Sequence, residues 1–144
     1  MSSAVPPTPT FIDTNVWLYA FIAGQDPAKT QRANDLISAT MMIVVSTQVI
    51  NEVCVNLIKR EGFSEAHIRD LINDFYHTYI VIGLDHPILV LASTLRERYA
   101  LSFWDGLIVA CALTSGASHL YSEDMQDGLS INGVLTIINP FKQP

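Results

Sequence analysis

Residues 10–17 have the sequence Thr-Phe-Ile-Asp-Thr-Asn-Val-Trp, in which a short apolar segment ends in a carboxylate. We predict a first strand from Thr10 to Asp13. A carboxylate that directly follows buried apolar residues costs free energy unless something pairs with it. Asp13 therefore either caps a short helix that begins near Asn15 or belongs to a polar site at the end of the strand.

Beyond this segment, short apolar runs alternate with longer segments of helical period, which is typical of an α/β domain with a parallel sheet. Four further strands are predicted over residues 42–45, 79–84, 119–122 and 134–138. Helices are predicted over residues 27–39, 47–60, 64–76, 87–99 and 103–114. We therefore predict a loose N-terminal tail over residues 1–9 and one domain over residues 10–144. The domain is expected to contain a mainly parallel sheet of about five strands.

The composition is that of a folded domain, because 49% of the 144 residues are hydrophobic and only 15% are charged. No apolar run reaches the roughly 18 residues of a membrane helix, and the N-terminus lacks the basic and apolar segments of a signal peptide. Cys54 and Cys111 lie in apolar helical patterns and are predicted to be small buried residues, which suits a reducing compartment. We therefore expect a cytoplasmic protein without membrane contact.

The formal net charge of −6 argues against a broad basic surface for nucleic acid. Part of this negative charge would be neutralised if several carboxylates held a divalent metal. The eight Lys and Arg residues also leave room for local basic patches. Net charge alone therefore does not identify the partner.

Four acidic residues fall at strand ends or near helix starts, where open parallel sheets place their ligand crevice. They are Asp13, Glu52, Asp105 and Asp124. Together they would repel one another strongly without a counter-ion. A hard divalent cation such as Mg²⁺ removes that conflict, because it takes oxygen ligands and keeps several waters. Such a site can activate water and stabilise both oxygens of a phosphoryl displacement.

Each of these acids also has a structural explanation. Glu52 suits the solvent edge of an amphipathic helix, and Asp105 follows Ser102 at the spacing of a capping box. Asp124 suits an exposed acidic loop. Glu123 and Asp127 lie close enough to it that the last place in the site stays open between the three.

The chain offers no competing chemistry of comparable quality. The histidines are scattered without zinc-ligand spacing, and there is no Cys-x-x-Cys, Walker-type loop or Gly-x-Ser-x-Gly elbow. Trp17, Trp104 and the aromatic residues around positions 76–79 are predicted to be core residues rather than base-stacking platforms.

The segments that carry these acids resemble the PIN domain family, and within it the VapC-type toxins of bacterial and archaeal toxin–antitoxin pairs. Residues 11–15 look like the opening strand with its Asp-x-Asn motif, and residues 101–108 are similar to the third acidic motif. Residues 120–124 look like the last strand and acid, and residues 46–52 match the glutamate helix. The resemblance extends from about Thr10 to Phe141.

The resemblance implies a three-layer α/β/α sandwich and a metal-dependent ribonuclease site. Carried onto this sequence, the four acids would be the metal ligands and catalytic residues, oriented by Asn15 and Ser122. The metal would be Mg²⁺, with Mn²⁺ as the alternative, and the substrate RNA. A cognate antitoxin and a homodimer are further expectations. Gly106, where related proteins often have Ala, is expected to leave the chemistry unchanged.

Two other interpretations keep the same fold. The first is a housekeeping PIN nuclease that processes RNA without an antitoxin. The second is an inactive PIN-like interaction module, against which the presence of acids at all four positions argues. The RNA target and its cleavage site are not readable from the sequence, because loop shape and surface charge decide them.

Overall fold

The computed structural model describes residues 7–142. Its six strands are β1 (Thr10–Ile12), β2 (Ile43–Ser46), β3 (Ile80–Ile82), β4 (His119–Tyr121), β5 (Ser130–Ile131) and β6 (Leu135–Ile138). Its six helices are α1 (Thr14–Phe21), α2 (Pro27–Ala39), α3 (Thr47–Glu61), α4 (Glu65–Thr78), α5 (His86–Tyr99) and α6 (Phe103–Thr114).

The strands form one sheet in the order β3-β2-β1-β4-β6-β5, parallel throughout except for the antiparallel β5–β6 pair. The chain moves outward from β1 to β3 and then returns across the sheet to β4. Because such crossovers are right-handed, α1 to α4 cover one face, and α5 and α6 cover the other. The predicted α/β sandwich with a mainly parallel sheet is therefore confirmed.

The sheet has six strands, so the prediction of about five was one strand short. The missing strand is β5, which has only two residues and pairs at the edge with β6. The turn between these strands contains Asn132 and Gly133, both with positive φ (52° and 69°). Ile131 pairs with Leu135, so the loop has three residues, and the Val134 N–H closes its tight turn by donating to the Ile131 carbonyl at 3.0 Å. Asn-Gly is a typical sequence for such a turn, so the sequence did carry a signal for β5.

The core lies between the sheet and both helical layers. On the α1 side, Trp17 is fully buried, and its indole N–H donates to the Ile12 carbonyl at 3.0 Å. The ring of Phe75 meets it edge to face at a centroid distance of 5.1 Å. Cys54 and Cys111 are buried and unbridged, as predicted.

Three helices begin at the carboxyl edge of the sheet. Helices α1 and α3 directly follow β1 and β2, and α6 runs from this edge toward the start of β4. Asp13 accepts a hydrogen bond from the Thr14 N–H at the start of α1. Ser46 caps α3 by accepting from the Val49 N–H, and Ser102 caps α6, as the sequence predicted. The first turns of α1, α3 and α6 therefore converge on the same edge.

Most of the predicted N-terminal tail lies outside the described residues. At its end, the Ser118 N–H donates to the Pro9 carbonyl at 3.1 Å, and the Thr8 and Ser118 hydroxyl groups are 2.6 Å apart. These contacts attach the chain to β4 just before β1 begins. Within residues 7–142, no helix has both the length and the apolarity that crossing a membrane requires.

Candidate active site

An open cleft at the carboxyl edge of the sheet contains the four acids selected from the sequence. We call it the acid cleft; its acidic lining residues are Asp13, Glu52, Asp105 and Asp124. The cleft has a volume of about 290 Å³. Since a water molecule takes roughly 30 Å³ in the liquid, the space accommodates a hydrated ion.

Asp13 lies between β1 and β4 because the two strands are parallel and in register, with Ile12 opposite Tyr121. The Asp13 backbone N–H donates to the Tyr121 carbonyl at 3.0 Å. One carboxylate oxygen accepts from the Thr14 N–H at 2.8 Å, and the other accepts from the Ser122 hydroxyl at 2.9 Å. Asp13 thus both caps α1 and lines the cleft, so the two interpretations of this residue are compatible.

Burial raises the pKa of Asp13 from the ordinary 3.8 to about 6. The hydrogen bonds from Thr14 and Ser122 oppose this shift, whereas the negative charges of Glu52 and Asp105 add to it. The carboxylate is therefore in an environment that disfavours its own charge. A cation in the cleft would reverse that preference.

Glu52 leans over the cleft from the second turn of α3 and does not lie on its solvent edge. Its Oε2 accepts a hydrogen bond from the Thr14 hydroxyl at 2.7 Å, and its Oε1 accepts from the Gln48 amide at 3.0 Å. Both donors also line the cleft. The two bonds fix the orientation of the half-buried Glu52 carboxylate.

Asp105 lies in the first turn of α6, where its backbone N–H donates to the Ser102 hydroxyl at 3.2 Å. This is one half of the predicted capping box. Among residues 7–142, no hydrogen bond to the Asp105 carboxylate is formed. The side chain therefore lines the cleft with its charge uncompensated, and the structural role of its backbone does not compete with a role in binding.

Asp124 follows β4 and accepts a hydrogen bond from the side-chain amide of Asn15. Its pKa is raised, first by partial burial and then by the negative charges of Glu123 and Asp105. Asn15 and Ser122, predicted to orient the acids, thus each contact one of them.

The two neighbouring acids are engaged elsewhere. Glu123 forms an ion pair with Lys29 and accepts a hydrogen bond from the Tyr19 hydroxyl at 3.0 Å. Asp127 accepts from the Asn139 N–H at 2.8 Å and lies 3.4 Å from the ammonium group of Lys142. Neither lines the acid cleft.

The acid cleft suits a hydrated cation better than a fully coordinated one. Within residues 7–142, no three acidic, His or Cys side chains are grouped closely enough to hold an ion directly. Mg²⁺ commonly binds through one or two carboxylates and keeps the rest of its water shell. The oxygen-only donor set fits such an ion, and so do the raised pKa values of Asp13 and Asp124, which result first from burial and then from the neighbouring negative charges.

Sequence reasoning misplaced one aromatic residue of the cleft. Trp104 was predicted to be a core residue, but it is 60% exposed and lines the acid cleft beside Asp105. Position 104 falls in the first turn after the Ser102 cap, at the open edge of the sheet. Arg60, which donates to the Gln25 side chain, also lines the cleft and was not singled out.

The protein is an α/β domain with a mainly parallel sheet. Four carboxylates line one cleft at the carboxyl edge of this sheet. Residues 10–126 match the PIN domain family, and the chain belongs to that family. Membership implies nuclease activity, and PIN nucleases generally use divalent metal ions. A search of curated proteins found no match.

Solved structures share the fold at low sequence identity. VapC20 of Mycobacterium tuberculosis, described as a Sarcin-Ricin loop cleaving toxin, is 22% identical, with a TM-score of 0.66 over 80% of this chain and 89% of that one. A toxin–antitoxin complex from Klebsiella pneumoniae is 21% identical, with a TM-score of 0.70 over 93% and 99%. VapBC2 of Rickettsia felis, bound to a promoter DNA fragment, is 17% identical, with a TM-score of 0.62 over 91% and 99%.

Proposed function

We propose that this protein is a VapC-type toxin, an endoribonuclease that uses Mg²⁺ or Mn²⁺ to hydrolyse RNA phosphodiester bonds. The observation that carries the proposal is the acid cleft itself. Four carboxylates meet there, and among the described residues none of them forms an ion pair. A structural role would pair such charges, whereas a metal site leaves them for the ion.

The residues of the cleft have distinct parts in this mechanism. The four acids would hold a hydrated metal ion, partly through its water molecules, while Ser122 and Asn15 orient Asp13 and Asp124 through the hydrogen bonds described above. A divalent ion bound there would supply an activated water and charge stabilisation for the oxygens of an in-line displacement. Glu52, which is held by Thr14 and Gln48, would accept the proton of the attacking water.

The toxin assignment is supported by the nature of the structural relatives. Two of them come from toxin–antitoxin assemblies, and VapC20 is itself described as a Sarcin-Ricin loop cleaving toxin. We accordingly propose a cytoplasmic homodimer that is inhibited by a cognate antitoxin covering the acid cleft.

Cleavage of labelled RNA by purified protein in Mg²⁺ tests the nuclease activity. Asp13→Asn should abolish cleavage without unfolding the protein, because Asn keeps the shape but removes a ligand charge. Glu123→Gln is the matched control, since this acid is paired with Lys29 outside the cleft. Wild-type cleavage rates in the Asp13→Asn protein would refute the proposal.

Expression in cells separates the toxin from a housekeeping nuclease. A toxin arrests growth on expression, requires Asp13 to do so, and is encoded beside a small open reading frame whose product relieves the arrest. Sequencing the RNA ends from cells that express wild-type or Asp13→Asn protein identifies the target. Calorimetry that detects neither Mg²⁺ nor Mn²⁺ binding would support the inactive interaction module instead.

A further inference from the structure

Trp104 is a large aromatic side chain that the proposed chemistry leaves without a role. Its indole is 60% exposed, although the domain has a well-formed core in which Trp17 is fully buried. It lies next to Asp105 in the chain and lines the acid cleft. Singly exposed apolar side chains are common on protein surfaces, so the position of Trp104 in the lining of the acid cleft is the observation that indicates a ligand.

The surroundings of Trp104 restrict its orientation. The ring of Phe103 packs against it edge to face at a centroid distance of 5.2 Å. The Arg96 guanidinium lies 4.2 Å from the centroid of the Phe103 ring and donates to the Phe103 carbonyl at 3.2 Å. Phe103 is therefore in contact with Arg96, and Trp104 is the one of these two aromatic residues that lines the cleft.

Gly106 makes room for this arrangement. A Cβ atom at position 106 would lie 2.5 Å from Cγ of Arg96 and 3.2 Å from the Ala92 carbonyl oxygen. A side chain at position 106 would therefore displace the Arg96 side chain, which contacts Phe103. The expectation that Gly106 leaves the chemistry unchanged stays a prediction.

The charge of the cleft indicates what covers Trp104. Four carboxylates repel a phosphate chain, and Arg60 is the one cation among the described residues that line the cleft. Because one divalent ion and Arg60 would neutralise only part of this charge, a substrate of this site gains from binding energy that does not depend on charge. Nucleobases provide it, because every base has a π-face that stacks on an aromatic ring in a sequence-tolerant way.

We propose that Trp104 is a stacking platform for a base of single-stranded RNA next to the bond held at the acid cleft. This inference rests on the proposed ribonuclease function and adds how the substrate is held. The indole binds the base while Arg60 contacts the backbone. The platform favours unpaired over duplex RNA, because a base inside a helix has no free face.

Binding of two uncleaved decamers tests the platform. One is decaadenylate and the other an abasic ribose-phosphate chain of the same length and charge, both fluorescently labelled. Binding is measured by anisotropy in Mg²⁺ with the Asp13→Asn protein and with the same protein carrying Trp104→Leu, Trp104→Phe or Tyr76→Leu. Tyr76 is the matched control, because it is 56% exposed on α4 and does not line the cleft.

We expect Trp104→Leu to weaken decaadenylate binding about tenfold and to leave binding of the abasic chain unchanged. Trp104→Phe should restore most of the preference for bases, and Tyr76→Leu should have no effect. Equal binding of decaadenylate by the Trp104→Leu and parent proteins, or no binding by the parent, would overturn the platform. The platform is also overturned if Trp104→Leu leaves decaadenylate binding unchanged but changes the oligomeric state, measured as the mass of the protein in solution. That result would identify Trp104 as a protein contact.

The two proposals fail separately. If Asp13→Asn abolishes cleavage but Trp104→Leu leaves both decamers bound as before, only the platform is wrong. If the decamers are cleaved as fast by the Asp13→Asn protein as by the wild type, the metal-site function is wrong, whatever Trp104 binds.

Discussion

The acid cleft and the loop after β4 both contain carboxylates, but within residues 7–142 those of the loop form ion pairs and those of the cleft do not. In the loop, Glu123 is paired with Lys29, and Asp127 is paired with Lys142. In the cleft, no acid forms an ion pair among the described residues, and the pKa values of Asp13 and Asp124 are raised. The charges of the loop acids are neutralised by lysines of the same chain, whereas the charges of the cleft acids have no such partner among the described residues.

This difference shows that an acid close to Asp124 in sequence does not necessarily line the cleft. Glu123 and Asp124 are adjacent in sequence, yet their carboxylates face different partners. The pKa of Asp127 is lowered by its hydrogen bond from Asn139 and by Lys142, opposite to the shift at Asp124. Substitutions that remove charge should therefore have opposite effects on stability in the two regions.

The largest expected effect is a stabilisation by Asp13→Asn in metal-free protein at neutral pH. The raised pKa means that the folded protein holds the Asp13 proton to higher pH than the unfolded chain. Stability therefore falls between about pH 4 and pH 6 and remains low above that range. Raising the pKa from 3.8 to about 6 corresponds to about 3 kcal/mol at most. Asn accepts from Thr14 as Asp does, so we expect a gain of about 2 kcal/mol.

Urea unfolding in EDTA at pH 4 and pH 7.5 measures this effect. The gain from Asp13→Asn should be present at pH 7.5 and nearly absent at pH 4. Adding Mg²⁺ should stabilise the wild type and reverse the order of the two proteins. A destabilised Asp13→Asn protein at pH 7.5 in EDTA would contradict the electrostatic account of the cleft.

A smaller effect is expected from Ser122→Ala, which removes the hydroxyl that donates to Asp13 at 2.9 Å. Loss of such an outer-shell partner commonly lowers metal affinity or activity by roughly 10- to 100-fold. Mn²⁺ affinity and cleavage rate should fall together by this amount. Ser118→Ala, at the other end of β4, is the control and should change neither; an unchanged Ser122→Ala protein would remove Ser122 from the site.

The smallest effect is expected in the loop. Glu123→Gln and Lys29→Met should each lower the free energy of unfolding by about 1 kcal/mol or less, because their ion pair is partly exposed. The double variant should be hardly less stable than either single one, since both remove the same interaction. Thermal unfolding of the wild type, the two single variants and the double variant gives a double-mutant cycle. Additive losses of stability would show that Glu123 and Lys29 are not coupled.

Much of this site was predictable because it follows from the strands. Asp13 ends an apolar strand, and a parallel neighbour in register brings Ser122 beside it. The caps at Ser46 and Ser102 were likewise visible as residue types, and they orient the helices that carry Glu52 and Asp105. Local patterns therefore located all four acids at one edge.

What the sequence did not reveal depends on contacts between distant residues. Glu123 is held outside the cleft by Lys29, which lies 94 positions from it along the chain. The exposure of Trp104 depends on how α6 meets the edge of the sheet. The close approach of Arg96 to Gly106 appears only when α5 is placed against α6.

Binding of Mn²⁺ to the metal-free protein, followed by electron paramagnetic resonance, tests the central claim most directly. The wild-type and Glu123→Gln proteins should bind Mn²⁺ with the same affinity, while Asp13→Asn and Asp105→Asn should lose most of it. Failure of the wild type to bind Mn²⁺, or a loss in Glu123→Gln as large as that in Asp105→Asn, would contradict the assignment of the acid cleft as the metal site.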